Sequence, residues 1–245
     1  MQRSNTYIIF FAIALTVILG GALSLTSVGL KPLQDKQVEL DTKKKILGAV
    51  MDISGVEDPD EILRIYNEKV KSIVIDIDGN ELSTDPKGNP YVAETVNIQK
   101  NSKLDPKDRA YPVFMFMGES GNVEAYIFPT FGAGLWDWIS SYVAFGQDLN
   151  TIKGIAFDHK GETPGLGARI TEPGYQSRFE GKKIFEGNDL VSVKVVKGEG
   201  NTGLSDHQVD GLSGATMTTK GVNTMLENYL ECYSAYIKKV KSQNS

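Results

Sequence analysis

From Ser4 to Leu30 the chain carries no charged side chain, and its centre, Tyr7 to Leu25, is almost entirely aliphatic, aromatic or small. About 20 such residues cross the hydrocarbon layer of a bilayer as a helix, because lipid offers no partner to an unpaired backbone N–H or C=O. A cleaved secretory signal is the competing reading, and Ala22-Leu-Ser24 is a serviceable small-residue cleavage pattern. Signals usually have apolar regions of about 7–15 residues and a more basic start than the single Arg3 present here. The sequence therefore predicts a retained single-span helix that tethers the remainder to the membrane through residues 4–30. Lys31, Lys36 and Lys43 to Lys45 come after the span. A literal count of positive charge places the large C-terminal part in the cytoplasm, although long domains translocate largely regardless of charge.

The rest of the chain has the means to bury a core, with 40% hydrophobic and 23% charged residues overall. Three parts are expected: an anchor over 1–30, a helical and mixed region over 31–110, and a main domain over 111–245. The net charge of -5 argues against a nucleic-acid partner. Cys232 stands alone, so neither an internal disulfide nor a cysteine-held iron–sulfur cluster is available. His159 and His207 are too few and too isolated to suggest a metal site.

After Pro32 the spacing of Leu33, Leu40, Leu47 and Val50, with Ile46 and Met51 widening the face, predicts a helical region. Asp58-Pro-Asp-Glu61 is a helix start, with a capping carboxylate, a proline at the first position and acids in the first turn. Ser72 to Asp78 reads as a strand ending in an Asp-Gly turn, and residues 80–110 as an irregular connection. Val113–Met117 and Val123–Phe128 flank a Gly/Ser/Asn turn and predict a hairpin. Further strands are expected over Ile139–Phe145, Gly154–Phe157 and Leu190–Val196. Tyr175, Phe179 and Gly181 belong to an amphipathic connector, and His207 is expected in solvent.

The stretch Asp210-Gly-Leu-Ser-Gly-Ala-Thr-Met-Thr-Thr-Lys-Gly-Val222 reads as a small-residue loop opening into a helix. From Val222 on, Met225, Leu226, Tyr229, Leu230, Tyr233, Ile237 and Val240 fall on one helical face. Such a loop presents free backbone N–H groups and the positive end of the helix dipole, a ready site for phosphate. A capped helix after a polar turn is the plain alternative. A nucleoside-triphosphate loop does not fit, because Thr219 rather than glycine precedes Lys220.

Two further runs stand out: Phe131-Gly-Ala-Gly-Leu-Trp136 and Gly161-Glu-Thr-Pro-Gly-Leu-Gly167. Together with Ser213-Gly-Ala-Thr216 and the N-terminal anchor, these resemble the NqrC family, a subunit of the sodium-translocating NADH:quinone oxidoreductase. They resemble, less closely, the flavin-bearing subunit of the related Rnf complex. The resemblance implies an α+β fold, a mainly antiparallel sheet packed with helices, with residues 111–245 as an FMN-binding domain. It implies FMN joined through its phosphate to Thr216, with Ser213, Gly214 and Ala215 as cofactor-binding neighbours; on chemistry alone Thr218 and Thr219 are competing acceptors. Glu162, Thr163, Leu166 and Gly167 are implied to fold over the flavin, and Leu135 and Trp136 to lie beside its ring system. It implies, too, a flavin transferase for maturation and other membrane subunits as partners. The domain is then on the periplasmic side of a bacterial inner membrane, opposite to the literal charge count. The activity implied is an electron relay within a translocase that oxidises NADH, reduces ubiquinone and moves sodium. The alternatives are the Rnf relay between ferredoxin and NAD, and a membrane-anchored sensor that binds flavin without passing electrons.

Overall fold

A computed structural model of the chain describes residues 4–243. The chain divides into two compact units, one up to Asp41 and one from Thr42 onward. The first is helical throughout its described part after Ser4, and belongs to α1 (Asn5–Gly48). Within α1 a stretch is long and apolar enough to cross a membrane, and none of that stretch is buried by protein.

The helical region read after Pro32 is present, as a continuation of α1 through the proline. A proline removes one N–H from the ladder and crowds the preceding turn. The sequence after it, Leu33-Gln-Asp-Lys-Gln-Val-Glu-Leu40, is nevertheless rich in strong helix formers that outweigh one interrupted bond. The expected facial residues do not share one fate, since Leu33 is 66% exposed and Leu47 fully buried.

The second unit is built on five strands: β1 (Val70–Ile75), β2 (Tyr111–Met117), β3 (Val123–Ala133), β4 (Trp138–Phe145) and β5 (Ile152–His159). They form one sheet in chain order, each pair antiparallel. From β2 onward the connections are short turns, whereas residues 76–110 separate β1 from β2; period-2 alternation sets the register. Phe128, Val143 and Ile155 lie opposite one another on adjacent strands, as do their neighbours Ile127, Ala144 and Gly154 on the other face. β1 comes from the region expected to be helical and mixed, and it is one of the two edge strands of this same sheet.

The Phe128 face is covered by the last helix, α5 (Thr216–Gln243). Tyr233 stacks on Phe128 with ring centres 4.6 Å apart. Its hydroxyl donates to Pro112 O at 3.0 Å, satisfying the polar tip of a fully buried ring. Met225, Leu226, Tyr229, Leu230 and Ile237 are buried along the same face of α5, as the 3.6-residue spacing predicts. Asp158, one residue out of phase with core-facing Phe157, accepts from Lys45 at 2.6 Å. The end of α1 beside that pair buries Ile46 and Leu47, and Ala49 just after it is buried too. Helix α2 (Pro59–Lys69) begins as read from sequence, with Asp58 accepting from Asp60 N and proline at the first position; the one-turn helices α3 (Ile98–Asn101) and α4 (Pro173–Gln176) lie between it and α5 in the chain.

The strand expected over Leu190–Val196 is instead two dipeptides, β7 (Asp189–Leu190) paired with β6 (Phe185–Glu186), and β8 (Lys194–Val195) paired with β9 (Gln208–Val209). Ser192 between them has φ 60°, a left-handed conformation no strand accommodates. The N–H groups of Val191 and Ser192 both go to Ile184 O, so no ladder can continue there. The β8–β9 pair is parallel and carries the chain into the Asp210 loop. His207 is not a free solvent group: its Nδ1 lies 2.6 Å from Lys183 O. Cys232 is half-buried on α5.

Candidate functional site

Three segments far apart in sequence converge at the start of α5. These are the turn between β3 and β4 (134–137), the loop after β5 (161–167), and the Asp210–Ala215 loop. Their junction is Glu162, which is only 4% exposed. One carboxylate oxygen accepts from Leu135 N at 2.7 Å and Trp136 N at 3.2 Å. The other accepts from the Thr218 hydroxyl at 2.5 Å. A carboxylate in an apolar setting is tolerated only with its lone pairs occupied, and these three donors supply that. The packing is close enough that a Cβ on Gly134 or Gly167 would meet the Glu162 carboxylate. Glycine at those two places is therefore a steric requirement.

The remaining site residues gather around this junction. Trp136 Nε1 donates to Thr163 Oγ1 at 3.2 Å, joining the first two segments at the surface. Gly214 has φ 76° and faces the Leu166 side chain, with a Cβ there coming 2.7 Å from Leu166 Cδ2. The second and third segments are thus in contact. Leu135 (48%), Trp136 (70%), Leu166 (42%) and Met217 (53%) leave an exposed apolar rim around the helix start, surface that soluble proteins seldom cluster without use.

The three threonines differ. Thr216 opens α5 and is exposed, whereas Thr218 and Thr219 are 1% and 8% exposed. The first intrahelical bond of the turn runs from Thr219 N to Ala215 O. The N–H groups of Thr216 to Thr218 precede it and face the helix mouth. Ser213 is exposed and donates its N–H to Glu199 at 3.3 Å; Ala215 is buried. A phosphate on Thr216 fits here on the donor chemistry, with an accessible hydroxyl, free helical N–H groups and an apolar rim for a flat ring.

Sequence reasoning did not find the ionic network behind the Asp210 loop. Arg169 and Arg178 both bind Glu199, and Arg178 also reaches Asp210 and Gly211. These residues are scattered over Arg169 to Asp210 without periodicity, and only the fold brings them together. Among the described residues no cluster of metal-binding side chains occurs.

A packed junction beside an open helix mouth with an apolar rim suits a flat phosphorylated cofactor, and comparison with known proteins supplies the class, a flavin-binding domain. The FMN-binding domain family matches residues 134–231. The NqrC subunit of the Na(+)-translocating NADH-quinone reductase of Neisseria meningitidis serogroup B is 36% identical, over 98% of this chain and 95% of that protein. Its counterpart in Vibrio anguillarum is 32% identical, over 91% of this chain and 89% of that one. The crystal structure of the same subunit from Parabacteroides distasonis superposes with a TM-score of 0.71 at 34% identity, covering 85% of this chain and 96% of that one. NqrC of Shewanella oneidensis gives 0.69 at 28% identity, over 84% and 99%. The chain belongs to the NqrC family of Na(+)-translocating NADH-quinone reductase subunits.

Proposed function

We propose that this chain is the electron-relay subunit of a membrane complex that oxidises NADH, reduces quinone and moves sodium, and that it carries FMN on Thr216 through a phosphoester. Near full-length likeness to NqrC proteins favours this over the Rnf reading. The observation that carries the choice of residue is the difference in burial among the threonines. Thr218 is committed to Glu162 and Thr219 is buried, while Thr216 stands open at the mouth of the helix.

Attachment requires an activated donor, a flavin phosphoanhydride, and a separate transferase. The Thr216 Oγ–P bond forms as the anhydride P–O bond breaks; the nucleotide leaves and the hydroxyl proton passes to solvent or an enzyme base. The remaining phosphodiester charge faces the dipole of α5, a contribution of roughly 0.3–1 kcal/mol. FMN supplies reversible one- and two-electron redox chemistry. The chain supplies position: the apolar rim of Leu135, Trp136 and Leu166 beside the ring, and the Glu162 junction that fixes the loops bearing it. Ser213, Gly214, Ala215, Thr163 and Gly167 shape the backbone that approaches the cofactor. The flavin-bearing part is proposed to be residues 111–245. We place this domain in the periplasm, anchored in the inner membrane. There a tethered cofactor keeps an effective concentration on the order of mM, where a free one would diffuse away.

The test is chemical. Protein from the native host should give an intact mass raised by one FMN less one water, and fluorescence that survives denaturing electrophoresis. Thr216→Ala should remove both; fluorescence persisting in that variant would move the linkage to Thr218 or Thr219. Bleaching of the flavin by NADH in native membranes separates a relay from a sensor.

A further inference from the structure

Arg178 sits on a segment locked into the core by its neighbours Tyr175 and Phe179, both essentially fully buried. From that fixed base its guanidinium grasps the Asp210 loop. One nitrogen donates to Gly211 O at 2.6 Å and lies 3.4 Å from both Asp210 O and Asp210 Oδ2. The other donates to Glu199 Oε1 at 2.8 Å, and Nε lies 3.3 Å from Gly174 O. Glu199 in turn holds Arg169 at 2.9 and 3.0 Å and takes Ser213 N at 3.3 Å. Asp210 is tied from its other side by Gly200 N and by Asn201 through both N and Nδ2, at 2.8–2.9 Å.

The turn before Thr216 is therefore gripped at a carboxylate, a carbonyl and an N–H, by groups belonging to two other segments. Leu212 is its apolar anchor, 2% exposed. Surface ion pairs of this kind add little to global stability. What two guanidiniums sharing one carboxylate do add is fixed geometry, since each fork presents several donors in a plane. Without Glu199 the two cations would face each other unscreened and Ser213 N would lose its acceptor.

We propose that Arg178 and Glu199 form a clamp that holds the Asp210–Gly214 turn in the conformation in which Thr216 accepts the flavin phosphate, making both positioning residues for cofactor attachment. The proposal rests on Thr216 as the attachment site. A turn that visits the receptive conformation only a fraction of the time accepts flavin at that fraction of the full efficiency. Loss of the clamp thus slows attachment without unfolding the chain.

The experiment uses full-length chain produced in a host without the transferase, then incubated with the transferase and flavin adenine dinucleotide. Adduct formation is followed by intact mass. Glu199→Gln and Arg178→Lys should lower kcat/KM for the chain as acceptor by about 10-fold or more, the scale set by a turn receptive a tenth of the time or less. Glu199→Asp should recover part of the loss, and melting temperatures should stay near that of the parent. Arg64→Gln, at an exposed ion pair on α2, is the control for charge removal elsewhere. If Arg178→Lys does not fold, Glu199→Gln alone decides. Parent-like rates in the clamp variants overturn the clamp while leaving Thr216 as the acceptor. Equal slowing in Arg64→Gln, or no recovery in Glu199→Asp, overturns it too. Normal labelling of Thr216→Ala would instead sink the attachment site itself.

Discussion

Glu162 is 4% exposed and takes its hydrogen bonds from two backbone N–H groups and a hydroxyl, whereas Glu199 keeps a quarter of its side chain in solvent and is held by two guanidiniums and one N–H. Both carboxylates fix a loop at the same helix mouth. The first does so with neutral donors in a packed junction, where a lost partner leaves a buried polar group unpaired. The second does so with charge at the surface, where solvent and salt compete. A single site thus draws rigidity from the interior and adjustability from the surface. The Glu162 junction belongs to the folded core; the Glu199 clamp shapes one turn.

The largest effect that separates the two is on stability. Glu162→Ala strips the acceptor from Leu135 N, Trp136 N and the Thr218 hydroxyl at once. At roughly 1–3 kcal/mol for each buried group left unsatisfied, with partial relief from entering water, a loss of about 3 kcal/mol is expected. In a chain of this size that lowers the melting temperature by about 6–12 °C. Thermal unfolding of the membrane-free domain or of the full chain in detergent measures it. A fall of only a degree would mean that the junction is no buried keystone, and the contrast with Glu199 would vanish.

The next effect concerns salt. The Debye length falls from about 10 Å at 0.1 M to about 3 Å at 1 M, so the Arg169–Glu199–Arg178 group weakens while the Glu162 junction does not. Hydrogen exchange should accelerate in the peptide spanning Asp210 to Gly214 as salt rises and stay constant in the peptide spanning Leu135 to Trp136. Parallel behaviour of the two would show that the clamp is no more solvent-exposed in its energetics than the junction.

Much of this arrangement is legible in the residues. The hairpin over Val113–Phe128, the Asp58 cap and the apolar face of α5 all rest on local rules, and each appears where its spacing puts it. Leu135, Trp136, Glu162, Thr163 and Leu166 are marked by their runs of glycine and by resemblance, and the fold brings them to one helix mouth. Local rules fail where distant partners decide. Pro32 does not end α1, because Leu33, Gln34, Lys36, Gln37 and Glu39 after it carry the helix on. Val191 and Ser192 look like strand but both bond to Ile184 O, a partner no period reveals. His207 looks solvent-bound until the Lys183 carbonyl is placed beside it. The Arg178–Glu199 clamp is the extreme case: neither residue belongs to a motif, and only the folded chain makes them neighbours.

The smallest effect is titration of the clamp itself. Hydrogen bonds from Arg169, then Arg178 and then Ser213 N hold the Glu199 carboxyl at about 2, against an ordinary 4.5. Burial raises Asp210, but hydrogen bonds from Gly200 and Asn201 outweigh it and leave that group lowered as well. A carboxyl depressed by folding contributes fully above its unfolded value and loses that contribution as pH falls through its folded value. The clamp should therefore be intact at neutral pH, begin to lose its advantage below about 4.5 and open near 2. The Ser213 amide reports it directly, because its acceptor is the titrating group. Its NMR shift should move with a midpoint near 2 and stop moving in Glu199→Gln. A midpoint near 4.5 would mean that the two arginines do not engage Glu199 in solution; the surface half of the comparison would then reduce to a loop held by Asp210 alone.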